Sequence, residues 1–178
     1  LGFTTLENME NIRQYHSGIY RIDDTSLFHE PFMGARIDAA RLNQAAREHQ
    51  LQDYTRMEQL FILSLGEVIR QSGINPADSD CGFIFSTTKG NIDHIGTEAA
   101  LLSLMARRVT AYFGSSHEPI VISNACISGV SALVTASRLI RQGRYKHILV
   151  TGGDLLTRFV ITGFQSFKSV SPERCRPY

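Results

Sequence analysis

No run of apolar residues in this chain approaches the ~20 positions that a membrane span requires, and no signal-like n-region and apolar h-region opens it. Neither a spanning helix nor a secretory leader is therefore expected. Charge of one sign is also lacking: 18 Lys and Arg against 17 Asp and Glu leave a formal charge of +1. Such a balance, with no basic run interleaved with aromatics, provides no face for a polyanion, so nucleic-acid partners are not expected. Cysteine is scarce. Three residues cannot form the paired framework of a small secreted domain, which points to a reducing, cytoplasmic setting. No Cys or His pair has the spacing of metal ligands, so no metal centre is expected. Repeats, low-complexity segments and linker-like runs are missing as well.

What is present suits one folded domain. The chain has 178 residues, 43% hydrophobic and 20% charged. A chain of this size can bury about 70% of its unfolded surface. Its ends suggest a trimmed piece: it opens at Leu1-Gly2 without Met and stops at Pro177-Tyr178 in loop-like sequence.

Residues 1–34 read as irregular and polar, punctuated by Gly18, Pro31 and Gly34. Residues 35–52 favour helix with a thin apolar stripe. A clearer helix is predicted over 56–71, where Met57, Leu60, Phe61, Leu65, Val68 and Ile69 follow the 3.6-residue period. Gly73 suits the left-handed cap beyond it, and Pro76 bars continuation. From there strands and helices alternate. Strands are expected at 82–86, 119–123 and 147–151, and helices at 95–113 and 125–142, closed by Gly114 and Gly143. Apolar strands joined by helical crossovers predict an α/β fold, a mainly parallel sheet with helices on both faces.

The most informative stretch is Ile120-Val121-Ile122-Ser123-Asn124-Ala125-Cys126-Ile127-Ser128-Gly129. A buried strand runs into a helix with almost no loop, and Cys126 sits at the junction. The first turn of a helix presents unpaired N–H groups and the positive end of its dipole, which favour a thiolate and can receive an oxyanion. Ser128, Gly129, Ala132 and Ala136 make one side of this helix small. The spacing alone leaves two readings open, a nucleophile or a small buried hydrophobe, which is how most free cysteines behave. Cys81 opens a strand and reads as core filler, whereas Cys175 lies between two arginines in an irregular terminal segment. Gly152-Gly153 after a strand offers only a weak phosphate-loop signal.

These residues, taken in order, resemble the N-terminal half of a β-ketoacyl-acyl-carrier-protein synthase, a condensing enzyme of the thiolase superfamily. Leu1-Gly2 is similar to the end of that family's S-P-L-G segment, His16-Ser17-Gly18-Ile19 to its S-G-I, and Arg56-Met57-Glu58 to the start of a long helix. Thr87-Thr88-Lys89-Gly90 resembles its T-x-x-G turn, and Cys126-Ile127-Ser128-Gly129 its C-x-S-G nucleophile motif. Gly143-Arg144-Tyr145-Lys146, the next strand and Gly152-Gly153 follow in order, and Gly163-Phe164, Phe167 to Ser171 and Arg176-Pro177-Tyr178 resemble its G-F…L-S…R-P-F-D passage.

The resemblance implies a thiolase-like layered fold, of which residues 1–178 would be the N-terminal half, lacking the first strand and the C-terminal half. It implies that Cys126 takes an acyl chain from a carrier-protein thioester, and that its N–H forms one side of an oxyanion hole. A carbanion from decarboxylating malonyl carrier protein would then attack the acyl-enzyme. The pocket would involve Ser128, Gly129 and Leu101; Leu102 reads better as helix stripe. Arg56 would help dock the acyl carrier protein. No cofactor is implied beyond the phosphopantetheine that bears the substrate. A homodimer is implied through the strand of residues 120–123, which begins at Ile120 and ends at Ser123. Asn124 stands where Thr or Ser is usual, and Asp154 where Ala is common; the I-S-N-A-C-I-S-G wording is also similar to condensing enzymes that build polyene pigments.

The family's two His (or His and Asn) and its Lys belong to the second half. None of His16, His29, His49, His94, His117 and His147 stands in such a motif, so this fragment by itself is expected to be inactive. Three other readings were open to the sequence. A thiolase-type acyltransferase shares C-x-S-G. A cysteine hydrolase needs a His after the elbow, and only His147 follows, at the start of a strand. A non-catalytic condensing-enzyme-like partner subunit typically lacks the cysteine.

Overall fold

The structure, a computed structural model, describes residues 2–175. Leu1, Arg176, Pro177 and Tyr178, which carry parts of the first and last resembling segments, lie outside the described residues. The chain packs as two compact units: residues 2–38 with 156–175, and residues 39–155.

The second unit is built on a parallel sheet. Strand β3 (Cys81–Ser86) lies between β4 (Ile120–Ile122) and β5 (His147–Gly152), in the order β4-β3-β5. Register runs from Cys81 opposite His147 to Ser86 opposite Gly152 on one side, with Ile84 opposite Ile120 on the other. All of β3 is buried, because both faces of the sheet are covered. Successive side chains point to opposite faces, so Phe83 and Phe85 enter one core while Ile84 enters another. Helices α3 (Arg56–Ser72) and α4 (Leu102–Tyr112) cover the first face through Met57, Phe61, Leu65, Met105 and Val109, and α2 (Ala39–Glu48) adds Ala46. Helix α5 (Ser128–Arg141) covers the second with Ala132 and Ala136 against Ile84, Ile120, Ile122 and Val150. The small side of α5 is therefore the side that lies on the sheet.

Local chemistry sets the helix ends. Thr55 and Glu58 form a reciprocal capping box at the start of α3, and Gly73 closes it at φ +67°. Helix α4 begins at Leu102 rather than at residue 95 as the periodicity suggests. Two 3₁₀ turns, Ile92–His94 and Glu98–Ala100, take up the approach, because Gly96 adopts φ +92° and the Thr97 hydroxyl donates to the His94 carbonyl at 2.8 Å. Helix α2 is also shorter than expected, Ala39–Glu48 in place of 35–52.

The first unit corrects the irregular reading of residues 1–34. Thr4 Oγ1 accepts from the Glu7 N–H and caps α1 (Thr5–Arg13), and β1 (Tyr20–Ile22) pairs antiparallel with β2 (Phe32–Gly34). With α6 (Arg158–Ser166), they gather Ile22, Phe32 and Ile161 into a small core. Helix α1 buries no residue and each strand has three, so neither gives a strong period in the sequence. Among the described residues, no helix is long and apolar enough to cross a membrane.

Candidate active site

Between the end of β4 and the start of α5 the chain makes a tight elbow. Ala125–Ile127 form a 3₁₀ turn, entered through Ala125 at φ +44°, a left-handed conformation that costs a residue with a Cβ about 1–2 kcal/mol. Ser128 holds the turn closed. Its Oγ donates to the Ala125 carbonyl at 2.8 Å and accepts from the Asn124 N–H at 2.8 Å. The Ile127 N–H donates to the Asn124 carbonyl at 3.1 Å.

Cys126 is exposed on this elbow. It belongs to the 3₁₀ turn and precedes Ile127, the N-cap of α5, so it does not stand in the first turn of the helix as the sequence suggested. The positive φ at Ala125 delays the α-helical bonding by one short turn. The Cys126 N–H finds no acceptor among the described residues and remains available.

The elbow opens into a cleft of about 640 Å³ at the carboxyl ends of the three parallel strands. Cys126, Ser128, Gly129, Val130 and Leu133 come from the elbow and α5, and Ser86, Thr87 and Thr88 from the end of β3. The third side is Val150 to Asp154. Gly152 is glycine for space, since a Cβ there would come within 3.0 Å of Ser86 Cβ and its carbonyl oxygen. The Gly153 N–H donates to that carbonyl at 3.0 Å. The glycine pair thus keeps β5 close to β3.

Asp154, singled out in the sequence only as a departure from the resembled pattern, ties two of these walls together. Its Oδ1 accepts from Thr87 Oγ1 at 2.7 Å and from the Lys89 N–H at 2.9 Å, and its Oδ2 accepts from Thr88 Oγ1 at 2.9 Å. No local signal marks that role, because the partners are 65 to 67 positions apart.

The other residues read from the sequence fall as follows. Ser128 and Gly129 line the cleft with Cys126; Ser128 itself is 5% exposed and engaged in bracing the turn. Leu101 is 55% exposed at the N-cap of α4, and neither it nor Leu102 is among the lining residues. Arg56 is the first residue of α3 and likewise lies off the cleft wall. Cys81 is fully buried, and desolvation pushes its thiol pKa up, aided by the charges of Asp80 and Asp78. None of the six histidines lines the cleft; His117, for one, has Nε2 2.8 Å from the Ser79 carbonyl oxygen. No group of three or more metal-ligating side chains is clustered among the described residues.

Comparison with known proteins bears on the same segment. The family model for 3-oxoacyl-[acyl-carrier-protein (ACP)] synthase III matches residues 121–163, a span that contains the elbow, α5, β5 and Asp154. The beta-ketoacyl-[acyl-carrier-protein] synthase III of Gloeobacter violaceus is 29% identical over 107 residues, 58% of this chain and 29% of that protein. The corresponding protein of Thermosynechococcus vestitus is 29% identical over 108 residues, 61% of this chain and 30% of that one. The chain thus spans less than a third of the length of these relatives. A chain in the solved structure of the ketosynthase ApeO in complex with its chain length factor ApeC, from Xenorhabdus doucetiae, superposes with a TM-score of 0.78. That match is 20% identical and covers 99% of this chain and 50% of the other. The α/β, thiolase-like fold expected from the sequence is the one observed.

Proposed function

We propose that this chain, which resembles part of a β-ketoacyl-acyl-carrier-protein synthase of the thiolase superfamily, carries the nucleophile of a condensing acyltransferase. One observation carries the reading: Cys126 is exposed on a strained strand-to-helix elbow, inside a cleft, with its own N–H free of any acceptor among the described residues. In that geometry Cys126 Sγ attacks the carbonyl of an acyl thioester borne on the phosphopantetheine of acyl carrier protein. A C–S bond forms to Cys126, and the phosphopantetheine thiol leaves with a proton. The oxyanion that develops meanwhile is received by the Cys126 N–H, as donors fixed at a turn can do without reorganising. Malonyl carrier protein then loses CO₂, its carbanion attacks the acyl-enzyme, and the thiolate of Cys126 is released.

The later steps need a base and a site for decarboxylation. No histidine lines the cleft, so the 178-residue chain alone would accept acyl groups slowly and condense none. The docking of carrier protein near Arg56 and a role for Leu101 in the acyl pocket belong to the same proposal. So does self-association through residues 120–123: β4 pairs only with β3 among the described residues, which leaves its other edge open to a partner strand.

The test is acyl transfer from acyl carrier protein, followed by peptide mapping in a mass spectrometer. Acyl mass on the Cys126 peptide, absent in Cys126→Ala, is expected. Wild-type protein that gains no acyl group at Cys126 would falsify the reading.

A further inference from the structure

The turn after β3 is arranged as a receptor for an anion. The Thr88 and Lys89 N–H groups point to one place, and the hydroxyls of Thr87 and Thr88 point there too. Successive backbone N–H groups that converge in this way make an anion-binding concavity. The Lys89 ammonium lies beside it, 3.4 Å from Thr88 Oγ1. In this chain the anion is supplied internally. The Asp154 carboxylate fills the concavity with Oδ1 2.7 Å from Thr87 Oγ1, 3.1 Å from the Thr88 nitrogen and 2.9 Å from the Lys89 nitrogen, and with Oδ2 2.9 Å from Thr88 Oγ1 and 3.3 Å from the Thr88 nitrogen.

Bonds to a carboxylate are shorter and roughly twice as strong as neutral ones, so this turn is held more firmly than an ordinary loop. Thr87 Oγ1 also accepts from the Gly90 N–H at 2.9 Å, which carries the constraint to the end of the turn. Thr87, Thr88 and Asp154 all belong to the cleft that contains Cys126. The position of that wall therefore depends on one carboxylate, which reaches it from the far end of β5.

We infer that Asp154 is a positioning residue for acyl transfer at Cys126: an internal anion that locks the turn of residues 87–90 and so sets the cleft in which the thioester must lie. The inference rests on the reading of Cys126 as the acyl acceptor. Asp154 acts through the turn and not on the thioester. Its removal leaves an empty concavity, which a small soluble carboxylate can refill.

The experiment compares the full natural chain with Asp154→Ala, with and without sodium formate, against sodium chloride at equal ionic strength. Two readouts are taken, the acyl-transfer rate to Cys126 and the melting temperature. Misplacing a wall of a reactive site slows transfer by about 10- to 100-fold, and formate is expected to restore much of the loss in a saturable way. Formate is also expected to raise the melting temperature of Asp154→Ala, with no such rise in the wild type. Transfer at the wild-type rate in Asp154→Ala would overturn the inference. So would a slow variant whose rate and melting temperature ignore formate, since the loss would then be one of general packing. If the wild type itself fails to acylate Cys126, the reading of the nucleophile falls and the positioning role falls with it; a formate-dependent melting shift would then uphold only the anion concavity. Should Asp154→Ala not fold, Asp154→Ser, whose shorter side chain also vacates the concavity, carries the same comparison.

Discussion

Ser128 Oγ donates to the Ala125 carbonyl across 2.8 Å, and thereby braces the one residue of the elbow that stands at positive φ. The same oxygen accepts the Asn124 N–H, so its loss leaves a part-buried backbone donor without that partner. Ser128→Ala is expected to lower stability by about 1–2 kcal/mol. Ala125→Gly should change it by less than about 1 kcal/mol, because relief of the left-handed conformation is offset by glycine's added freedom in the unfolded chain. Ala125→Val should cost more than either, since a β-branched side chain is poorly tolerated there. Urea unfolding followed by circular dichroism orders the three, and a Val variant as stable as wild type would contradict the observed backbone.

Two neighbouring arginines of α4 make a controlled pair. Arg108 Nε lies 3.1 Å from Oε1 of Glu58, which is 1% exposed, and its Nη2 donates to the Asp53 carbonyl at 2.7 Å. Arg107 bonds Glu118 at 2.8 Å in full view of solvent. Removing Arg108 takes the counter-charge from a buried carboxylate that keeps only its capping bond from the Thr55 N–H, so Arg108→Ala should cost about 2 kcal/mol, less than a fully buried pair because the guanidinium is part exposed. Arg107→Ala should cost under about 0.5 kcal/mol. Equal losses in chemical denaturation would show that burial does not separate the two pairs.

The cysteines give a chemical test of the site. Cys81 is fully buried at the start of β3 with its thiol pKa raised, whereas Cys126 is exposed in the cleft. Iodoacetamide at neutral pH should modify Cys126 well before Cys81, which should react only after unfolding. Peptide mapping at timed intervals reads the order directly. Equal labelling of the two, or preference for Cys81, would remove Cys126 as the accessible nucleophile.

Acid should act on two surface pairs in a defined direction. The hydrogen bond from Arg70, then that from Gln71, holds Glu67 down to about 2 from the usual 4.5. Its folded pKa lies below the unfolded one, so its contribution stands above about pH 4.5 and is lost as pH falls toward 2. Asp80 is lowered from 3.8 chiefly by the hydrogen bond from Lys146, and its contribution also fades on the acid side of that value. The gap in melting temperature between wild type and Glu67→Gln should therefore narrow as pH drops from 5 to about 2. A gap that widens in acid would reverse the assignment. High salt should shrink it throughout, because the pair is exposed.

The sheet was legible because buried parallel strands are continuous apolar runs: Phe83-Ile84-Phe85 and Ile148-Leu149-Val150 advertise themselves. The small side of α5 was legible too, and it lies where Ala132 and Ala136 suggested. Helix α1 was not. Leu6, Met9 and Ile12 are spaced along it, but all are exposed and none marks a core. The elbow was found through Cys126 and its neighbours, yet the helix start was misplaced, because a positive φ at an alanine has no signature in composition. The Asp154 bonds were illegible for a different reason: they join the ends of two strands that only tertiary structure brings side by side.

That separation has a consequence for how the molecule acquires its cleft. The Thr87–Asp154 bond spans 67 residues, and it cannot close until the carboxyl ends of β3 and β5 lie side by side. Contacts so distant along the chain are slow to form, because the intervening segment must first give up its freedom. Local helices can appear early, and Cys126 can be exposed on a nascent elbow, while the wall beside it is still unmade. The maturation of the cleft is thus tied to the completion of the sheet, and a chain interrupted before β5 carries the thiol without the shape around it.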